Sequence, residues 1–559
     1  MEKITLVSGN KSLYTISANT AISEFKSAAN LLQTQLKSLT DVTLPVKSST
    51  TAGTGPRLLL TDQVIDGITL PTRGIKITVK NNNVYISVKR RQDADYAVYK
   101  FMEYYAGCKL VVGGEPVCAG GKELLIPVKN IAVGGHFDYG EMYFNPPYNA
   151  TYRRWHQLEF FDSPDSKWGL WGHSFFQLLP PQQYFVSHPE YYSFRDGKRI
   201  SNGQLCLSNP QVEKLAAEKI KQLIASQPGK TLFSISQEDN DLYCLCPHCY
   251  RLDQQEHSHG ASVLDFVNRL AARFPRQQFV MLAYHYTFTP PATIVPRNNV
   301  TIQISTINAY RDKPIATAAN NAPVREGFNA WKKKNAQLMV WDYVTNFNHF
   351  LCPYPNFETL KANVVYFRTM GIKSLFTQGN NHPISEFAEL KCYVVAELMQ
   401  NPDADMEALM QDFVEAFYGK ASAPYIQQYI TAMRRSLVAS GKQLGLGDNP
   451  ADHANGYLSP AMLRQYDGYL AQADKAAGKD EVALYRIRLL KLNLAYVKVE
   501  QLRQQQLKNA KARKASGNNV EGEQVLLHFL KECREMGVKQ LDDVATTPEQ
   551  YATRFRSGS

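Results

Sequence analysis

Glu238 and Asp239 lie just past an apolar run, Thr231–Ser236, inside the string Gln237, Glu238, Asp239, Asn240, Asp241. At a strand end the chain leaves the pleat, so two adjacent carboxylates can both reach one cleft. Carboxylates sharing a cleft repel, and one of them can then hold its proton near neutral pH and serve as a general acid. Acidic residues that merely cap the next helix or line a loop would account for the spacing equally well. Other apolar runs end in related chemistry. His173 and Ser174 follow Trp168–Gly172, Tyr284 and Tyr286 follow Gln278–Ala283, and Trp341-Asp342-Tyr343 with Asn346 follows Gln337–Val340. Aromatic faces stack on the C–H surfaces of pyranose rings, and fixed polar groups bond the hydroxyls. All five tryptophans (Trp155, Trp168, Trp171, Trp331, Trp341) lie in this middle region. One buried Trp is ordinarily core, so their grouping at strand ends is the stronger signal.

Three of the nine cysteines cluster, Cys244, Cys246 and Cys249, with His248, His257 and His259 nearby. Structural zinc sites usually pair two Cys-x-x-Cys knuckles, and no second knuckle is visible. The preferred reading is therefore a disulfide or free thiols bracing the loop after the acidic pair, with no metal and no cofactor, and a structural zinc or iron site is the lesser alternative. The other six (Cys108, Cys118, Cys206, Cys352, Cys392, Cys533) stand singly. The chain has no Gly-x-Ser-x-Gly elbow, phosphate loop or dinucleotide fingerprint.

These residues need a frame to position them. Residues 1–125 read as a small α/β unit. Its strands are Lys3–Val7, Leu13–Ile16, Arg57–Leu60, Ile75–Lys80 and Asn83–Val88, with a polar loop from Ser48 to Pro56. A helix over Thr20–Leu39 carries Ile22, Phe25, Ala29, Leu32, Leu36 and Leu39 on one stripe. A second helix over Asp93–Ala106 stops at Gly107, and Asn81-Asn82-Asn83 marks a hairpin. Residues 126–400 alternate strands with helices. The strands are Ile131–Phe137, Trp168–His173, Thr231–Ser236, Gln278–Tyr284, Thr301–Thr306, Gln337–Tyr343 and Ser374–Thr377. The helices include Ser262–Arg273, Ala322–Lys333, Phe357–Met370 and Pro383–Met399. That alternation predicts a parallel sheet closed as a (β/α)8 barrel of TIM type, with its active site at the C-terminal strand ends. Residues 401–559 predict a helical unit. Its longest stripe runs through Val482, Tyr485, Leu489, Leu492, Tyr496, Val499 and Leu502.

Composition sets outer bounds. A chain of 559 residues with 44% hydrophobic and 20% charged residues is ordinary globular material. No apolar run reaches the length of a membrane span. The start, Met1-Glu2-Lys3-Ile4, has no apolar signal core, which leaves a cytosolic protein or a mature chain whose leader has been exchanged for an initiator Met. The net charge of +11 is spread along the chain except for a basic cluster at Lys508–Lys514. No nucleic-acid-binding motif accompanies that charge, so a solvated basic face is expected and no nucleic-acid partner.

Several segments together resemble glycoside hydrolase family 163, which is related in architecture to the α-glucuronidase and hexosaminidase barrels. They are His173-Ser-Phe-Phe with Leu179-Pro180, His188-Pro-Glu-Tyr-Tyr192, Gln204-Leu-Cys-Leu-Ser-Asn209, and Ser236-Gln-Glu-Asp-Asn240 with Tyr243-Cys-Leu-Cys-Pro-His-Cys249. Trp341-Asp-Tyr-Val-Thr-Asn-Phe347 and Phe376-Thr-Gln-Gly379 extend the likeness. The resemblance implies an exported bacterial endo-β-N-acetylglucosaminidase, in the periplasm or at the cell surface of a Gram-negative organism, cutting the chitobiose core of N-glycans. It also implies a retaining reaction in which the substrate's 2-acetamido oxygen is the nucleophile. Such a reaction needs one acid/base and one residue that orients the acetamide. Glu238 and Asp239 match that need in either order, with Asp239 preferred as acid/base and Glu238 as acetamide partner. Asp342 and Glu141 are held in reserve. His173, Asn240, Tyr284, Trp341, Tyr343 and Gln378 are the expected glycan contacts. Two other readings stand beside this one. An α-glucuronidase-like hydrolase would want an Arg or Lys clamp for the uronate, and a non-catalytic glycan-binding protein would bind without turnover.

Overall fold

A computed structural model describes residues 2–49, 55–63, 69–118, 121–334, 336–382, 384–511 and 520–557. Parts of the polar loop at 48–56 and of the basic cluster at 508–514, and position 383, lie outside the described residues.

The first unit is a mixed sheet backed by two helices. Its elements are β1 (Lys3–Val7), β2 (Thr15–Ala18), α1 (Ser23–Thr40), β3 (Val46–Ser48), β4 (Arg57–Thr61), β5 (Ile75–Lys80), β6 (Asn83–Val88), α2 (Ala94–Ala106), β7 (Leu124–Pro127) and β8 (Ile131–Val133). The six-stranded order is β3-β2-β4-β6-β5-β8, and β1 pairs with β7 as a separate antiparallel ribbon. The predicted stripe of α1 buries Phe25, Ala29, Leu32 and Leu36, while Ile22 stands before the helix. Helix α2 ends at Gly107 with φ 69°, a left-handed cap that suits glycine. The β5–β6 hairpin turns through Asn81 and Asn82 at φ 51° and 57°, as a two-residue hairpin of primed type requires. One expectation fails here. The predicted first barrel strand, Ile131–Phe137, is instead β8, an antiparallel edge partner of β5.

The parallel sheet begins at β9 (Tyr139–Tyr143), a strand the sequence reading missed. After it come α3 (Ala150–Trp155), β10 (Trp168–Leu170), α4 (Phe175–Leu178), α5 (Pro181–Tyr184), the hairpin β11 (Phe194–Arg195) and β12 (Lys198–Arg199), and α6 (Pro210–Ser226). The chain continues through β13 (Leu232–Ser234), α7 (Pro247–Gln255), α8 (Ala261–Arg273), β14 (Gln278–Ala283) and β15 (Val300–Ser305). It then forms α9 (Ala322–Lys333), β16 (Gln337–Tyr343), α10 (Phe357–Thr369), β17 (Ser374–Gln378) and α11 (Ala388–Gln400). The sheet is parallel throughout, ordered β10-β13-β14-β15-β16-β17-β9. The first strand thus lies beside the last, as in a barrel. The described residues nevertheless give seven strands rather than the predicted eight, and β9 does not pair with β10. A single bridge, Glu141 to Glu159, flanks the open edge of β9.

Helix α11 explains how the first unit is held to this sheet. Nearly all its residues are buried, so it is a core helix and not the one-faced helix predicted over Pro383–Met399. Its Glu397 accepts from Lys100 of α2 at 3.1 Å and pairs with His156 at 2.7 Å. Three buried charged or polar groups satisfy one another there, which is the condition for burying them at tolerable cost.

The remaining chain is helical: α12 (Met406–Tyr418), α13 (Ala423–Ser440), α14 (Pro460–Ala477), α15 (Glu481–Lys511), α16 (Val520–Glu535) and α17 (Pro548–Ser557). The stripe predicted on α15 is only half right. Val482 and Tyr485 are exposed, whereas Leu492, Tyr496 and Val499 pack toward α16 and α17. A second face, with Ile487, Leu490, Leu494 and Val497, joins the main core. One helix therefore serves two cores, and a single-stripe reading cannot describe it. Among the described residues no helix is long and apolar enough to cross a membrane.

Candidate active site

The C-terminal ends of β13–β17, with the turn after β10, surround a cavity of about 400 Å³. Strand pleat decides which residues reach it. On β16, Trp341 and Tyr343 share one face and line the cavity, while Asp342 between them points the other way. Trp341 donates Nε1–H to Gln378 Oε1 at 2.7 Å, and Phe376 and Trp171 pack edge-on and tilted against its ring. Tyr343 is buried beside Ser305, with hydroxyl and Oγ 3.2 Å apart. Gln378 is followed by Gly379, where a Cβ would run into the ring of Phe144. Only glycine allows that approach.

His173 enters the cavity because Gly172, at φ 64°, turns the chain sharply after β10. Its Nδ1–H donates to the carbonyl of Gln237 in a short bond, which fixes the orientation of the ring. Ser174 and Ser236 exchange backbone and side-chain bonds at 3.1 Å, so the ends of β10 and β13 move as one piece.

The acidic pair divides. Asp239 is exposed, lines the cavity and accepts from the hydroxyl of Tyr284 at 2.8 Å. Burial pushes the Tyr284 phenol well above its ordinary range, and the carboxylate it bonds adds to that. Glu238 is half-buried one layer back. Its Oε1 accepts from the Phe176 amide at 2.8 Å, and its backbone N–H donates to Gln204 at 2.8 Å. Burial raises the Glu238 carboxyl above its usual range, against a lowering pull from the Phe176 amide and His173.

Of the expected glycan contacts, His173, Tyr284, Trp341, Tyr343 and Gln378 come together on the wall with Asp239. Three predicted residues do not. Asn240 accepts from Gln204 Nε2 at 3.0 Å and from the Leu242 amide at 3.0 Å, so it shapes its own loop. Asp342 is buried against Arg311 at 3.3 Å and Thr306 at 2.5 Å. Glu141 is buried within the sheet, accepting from the Tyr139 hydroxyl and, at 2.7 Å, from the Phe161 amide. Burial pushes its carboxyl up to about 7.

Sequence reasoning missed one side of the cavity. Phe347 and Asn348 follow β16, Leu446 and Gly447 join α13 to α14, and Asp543 joins α16 to α17. The Asp543 amide donates to the Phe347 carbonyl at 2.8 Å. Asp543 is a second carboxylate in the cavity. Burial first, and then the charge of Asp239, raise its proton affinity. Phe347 ends the Trp341–Phe347 segment already singled out, whereas no periodic or motif signal marks Asn348, Leu446, Gly447 or Asp543 in the sequence.

The profile of a domain of unknown function, DUF4838, matches residues 121–431, more than half of the chain. The chain belongs to the DUF4838 family. The match takes in the whole parallel sheet of this DUF4838 protein and its acidic loop. No curated protein matches the sequence. Among solved structures, the DUF4838 chain is similar to BtGH115A, a family GH115 4-O-methyl-α-glucuronidase with specificity for decorated arabinogalactans. The identity is 11% over 99% of this chain and 79% of that one, with a TM-score of 0.57. It is similar to CpGH84B at 9% identity over 100% of this chain and 98% of that one, with a TM-score of 0.50. At such identities the likeness is one of fold.

Proposed function

We propose that this DUF4838 protein is a glycoside hydrolase whose reaction takes place in the cavity at the strand ends. The observation that carries the reading is the placement of Asp239. It is an aspartate in the turn that follows β13, oriented by Tyr284, in a cavity lined by Trp341 and Tyr343. A carboxylate for proton transfer beside aromatic rings for sugar faces is what glycosidic cleavage requires.

Within that class we propose an exported endo-β-N-acetylglucosaminidase that retains configuration through the substrate's own acetamide. Asp239 is the acid/base. Glu238 orients the acetamide after its side chain turns from the Phe176 amide, and Asp543, already at the cavity, is its rival for that role. The uronide alternative is disfavoured by charge. Among the described residues the lining carries Asp239 and Asp543 and no Lys or Arg, so a substrate carboxylate would meet repulsion without a clamp. Incubation with a mixed N-glycopeptide digest, followed by mass spectrometry, tests the reading. One N-acetylglucosamine left on asparagine is expected, with competitive inhibition by N-acetylglucosamine thiazoline. Binding without cleavage, or release only of uronic acid, would overturn it.

A further inference from the structure

Beside the acidic loop the fold assembles a second cluster. Cys206, which precedes α6, meets Cys244 and Cys246 of the loop leading into α7 and Cys249 in the first turn of that helix. The four sulfurs all lie within 4.8 Å of one another. None of these cysteines exposes more than 5% of its surface, and none is in a disulfide, whereas Cys108 and Cys118 do form one. The knuckle that lacked a partner in the sequence thus gains its fourth cysteine from 38 positions upstream of Cys244. The histidines nearby take no part. His248 is exposed and accepts from Arg251, and His259 pairs with Asp253.

We propose that Cys206, Cys244, Cys246 and Cys249 bind one zinc ion, a structural clip that fixes the loop bearing Glu238 and Asp239. Four thiolates around zinc at about 2.3 Å would stand roughly 3.8 Å apart. Cys206 and Cys246 already stand at 3.6 Å, a separation that suits shared coordination and is far too long for a bond. The ligand set is soft and offers no oxygen or nitrogen, which excludes calcium and magnesium. It also leaves no open position, so the ion is structural and takes no part in the reaction. The surroundings favour charged sulfur. The Phe194 amide donates to Cys244 Sγ at 3.4 Å, the Arg199 guanidinium lies 3.8 Å from the same sulfur, and Ser208 Oγ lies 3.4 Å from Cys246 Sγ. Donors of this kind around a metal site orient its ligands and offset their charge.

The link to the acidic loop is short. Gln204, two residues before Cys206, accepts the Glu238 amide at 2.8 Å and donates to the carbonyls of Glu238 and Asn240, each at 2.9 Å. A clip closed at Cys206 therefore sets where Gln204 holds the acidic turn.

The test uses the full chain purified without chelator. Elemental analysis should find about one zinc per chain. Exchange for cobalt(II) should give the intense visible bands of a tetrahedral thiolate site. Mass spectrometry of the alkylated, unreduced protein should show no disulfide among these four cysteines. Cys206→Ser should lose the zinc and lower the melting temperature, but the wild-type stoichiometry decides the matter even if that variant does not fold. Zinc below about one tenth per chain would overturn the proposal, whether the sulfurs prove to be free thiols, a disulfide, or ligands of iron.

Discussion

The phenol of Tyr284 donates to Asp239 at 2.8 Å across the ends of two neighbouring parallel strands, β14 and β13. Tyr284 is itself held. Its amide donates to Thr287 Oγ1 at 3.0 Å, and its carbonyl accepts from Gln237 at 3.0 Å. An exposed aspartate that would otherwise sample several rotamers is thus aimed into the cavity by a ring anchored at both backbone groups, the kind of support a precise site needs.

Asp239→Asn keeps the shape and removes proton transfer. Turnover on an N-glycopeptide should fall by about 10²–10⁴ with stability unchanged, because the residue is exposed. Tyr284→Phe deletes only the orienting bond and should cost about 10- to 100-fold in kcat/KM, the worth of a hydrogen bond to a charged group. Wild-type rates in Asp239→Asn would remove it from the proposed role.

Glu238→Gln and Asp543→Asn separate the two rivals for the acetamide. Glu238→Gln retains an oxygen for the Phe176 amide and should still lose about 10²-fold or more in turnover. Asp543→Asn should lose less than about tenfold, the usual range for losing one hydrogen bond with no proton-transfer role. The reverse order in steady-state kinetics would pass the role to Asp543.

Glu141 predicts a pH dependence of stability. Its carboxyl is raised from 4.5 to about 7, so the folded chain holds that proton more tightly than the unfolded one. A raised acid stabilises the fold below the unfolded value and loses that contribution as pH rises from about 4.5 to 7, here by about 3 kcal/mol. Glu141→Gln carries no such charge. Its urea midpoint relative to wild type should therefore improve between pH 5 and pH 8, and a difference independent of pH would show Glu141 to be ionised in the fold.

Arg311 and Asp342 form a buried ion pair. Arg311→Met strands a carboxylate in the core and should cost about 3–5 kcal/mol in urea unfolding. Adding Asp342→Leu should recover much of that loss, because the charge and its partner are then both gone.

Much of the frame was legible in the sequence. Gln337–Tyr343 and Ala322–Lys333 stand where their periodicity put them, and the Asn81-Asn82 turn followed from its chemistry. Strand β9 escaped because Tyr-Gly-Glu-Met-Tyr has no apolar run, its buried Glu141 being satisfied by the Tyr139 hydroxyl on the same strand and by the Phe161 amide 20 positions on. The triplet Ile131–Val133 reads alike in either sheet, and only pairing assigns it. In the site, the strand-end aromatics were visible and their parity was not used. Alternation along β16 already separates Trp341 and Tyr343 from Asp342. Cys206 and Asp543 reach their places through long-range contacts, and local pattern cannot announce those.

Asp543 on the cavity wall has a consequence for the order in which the protein is made. The strand ends carrying His173, Asp239, Tyr284 and Trp341 leave the ribosome long before the turn between α16 and α17. A nascent chain can therefore complete its parallel sheet and still present an open, unfinished basin. That side of the basin is walled by Leu446, Gly447 and Asp543, the last tied by its amide to the Phe347 carbonyl. The last wall residue of the site is thus also the last part of it to be synthesised.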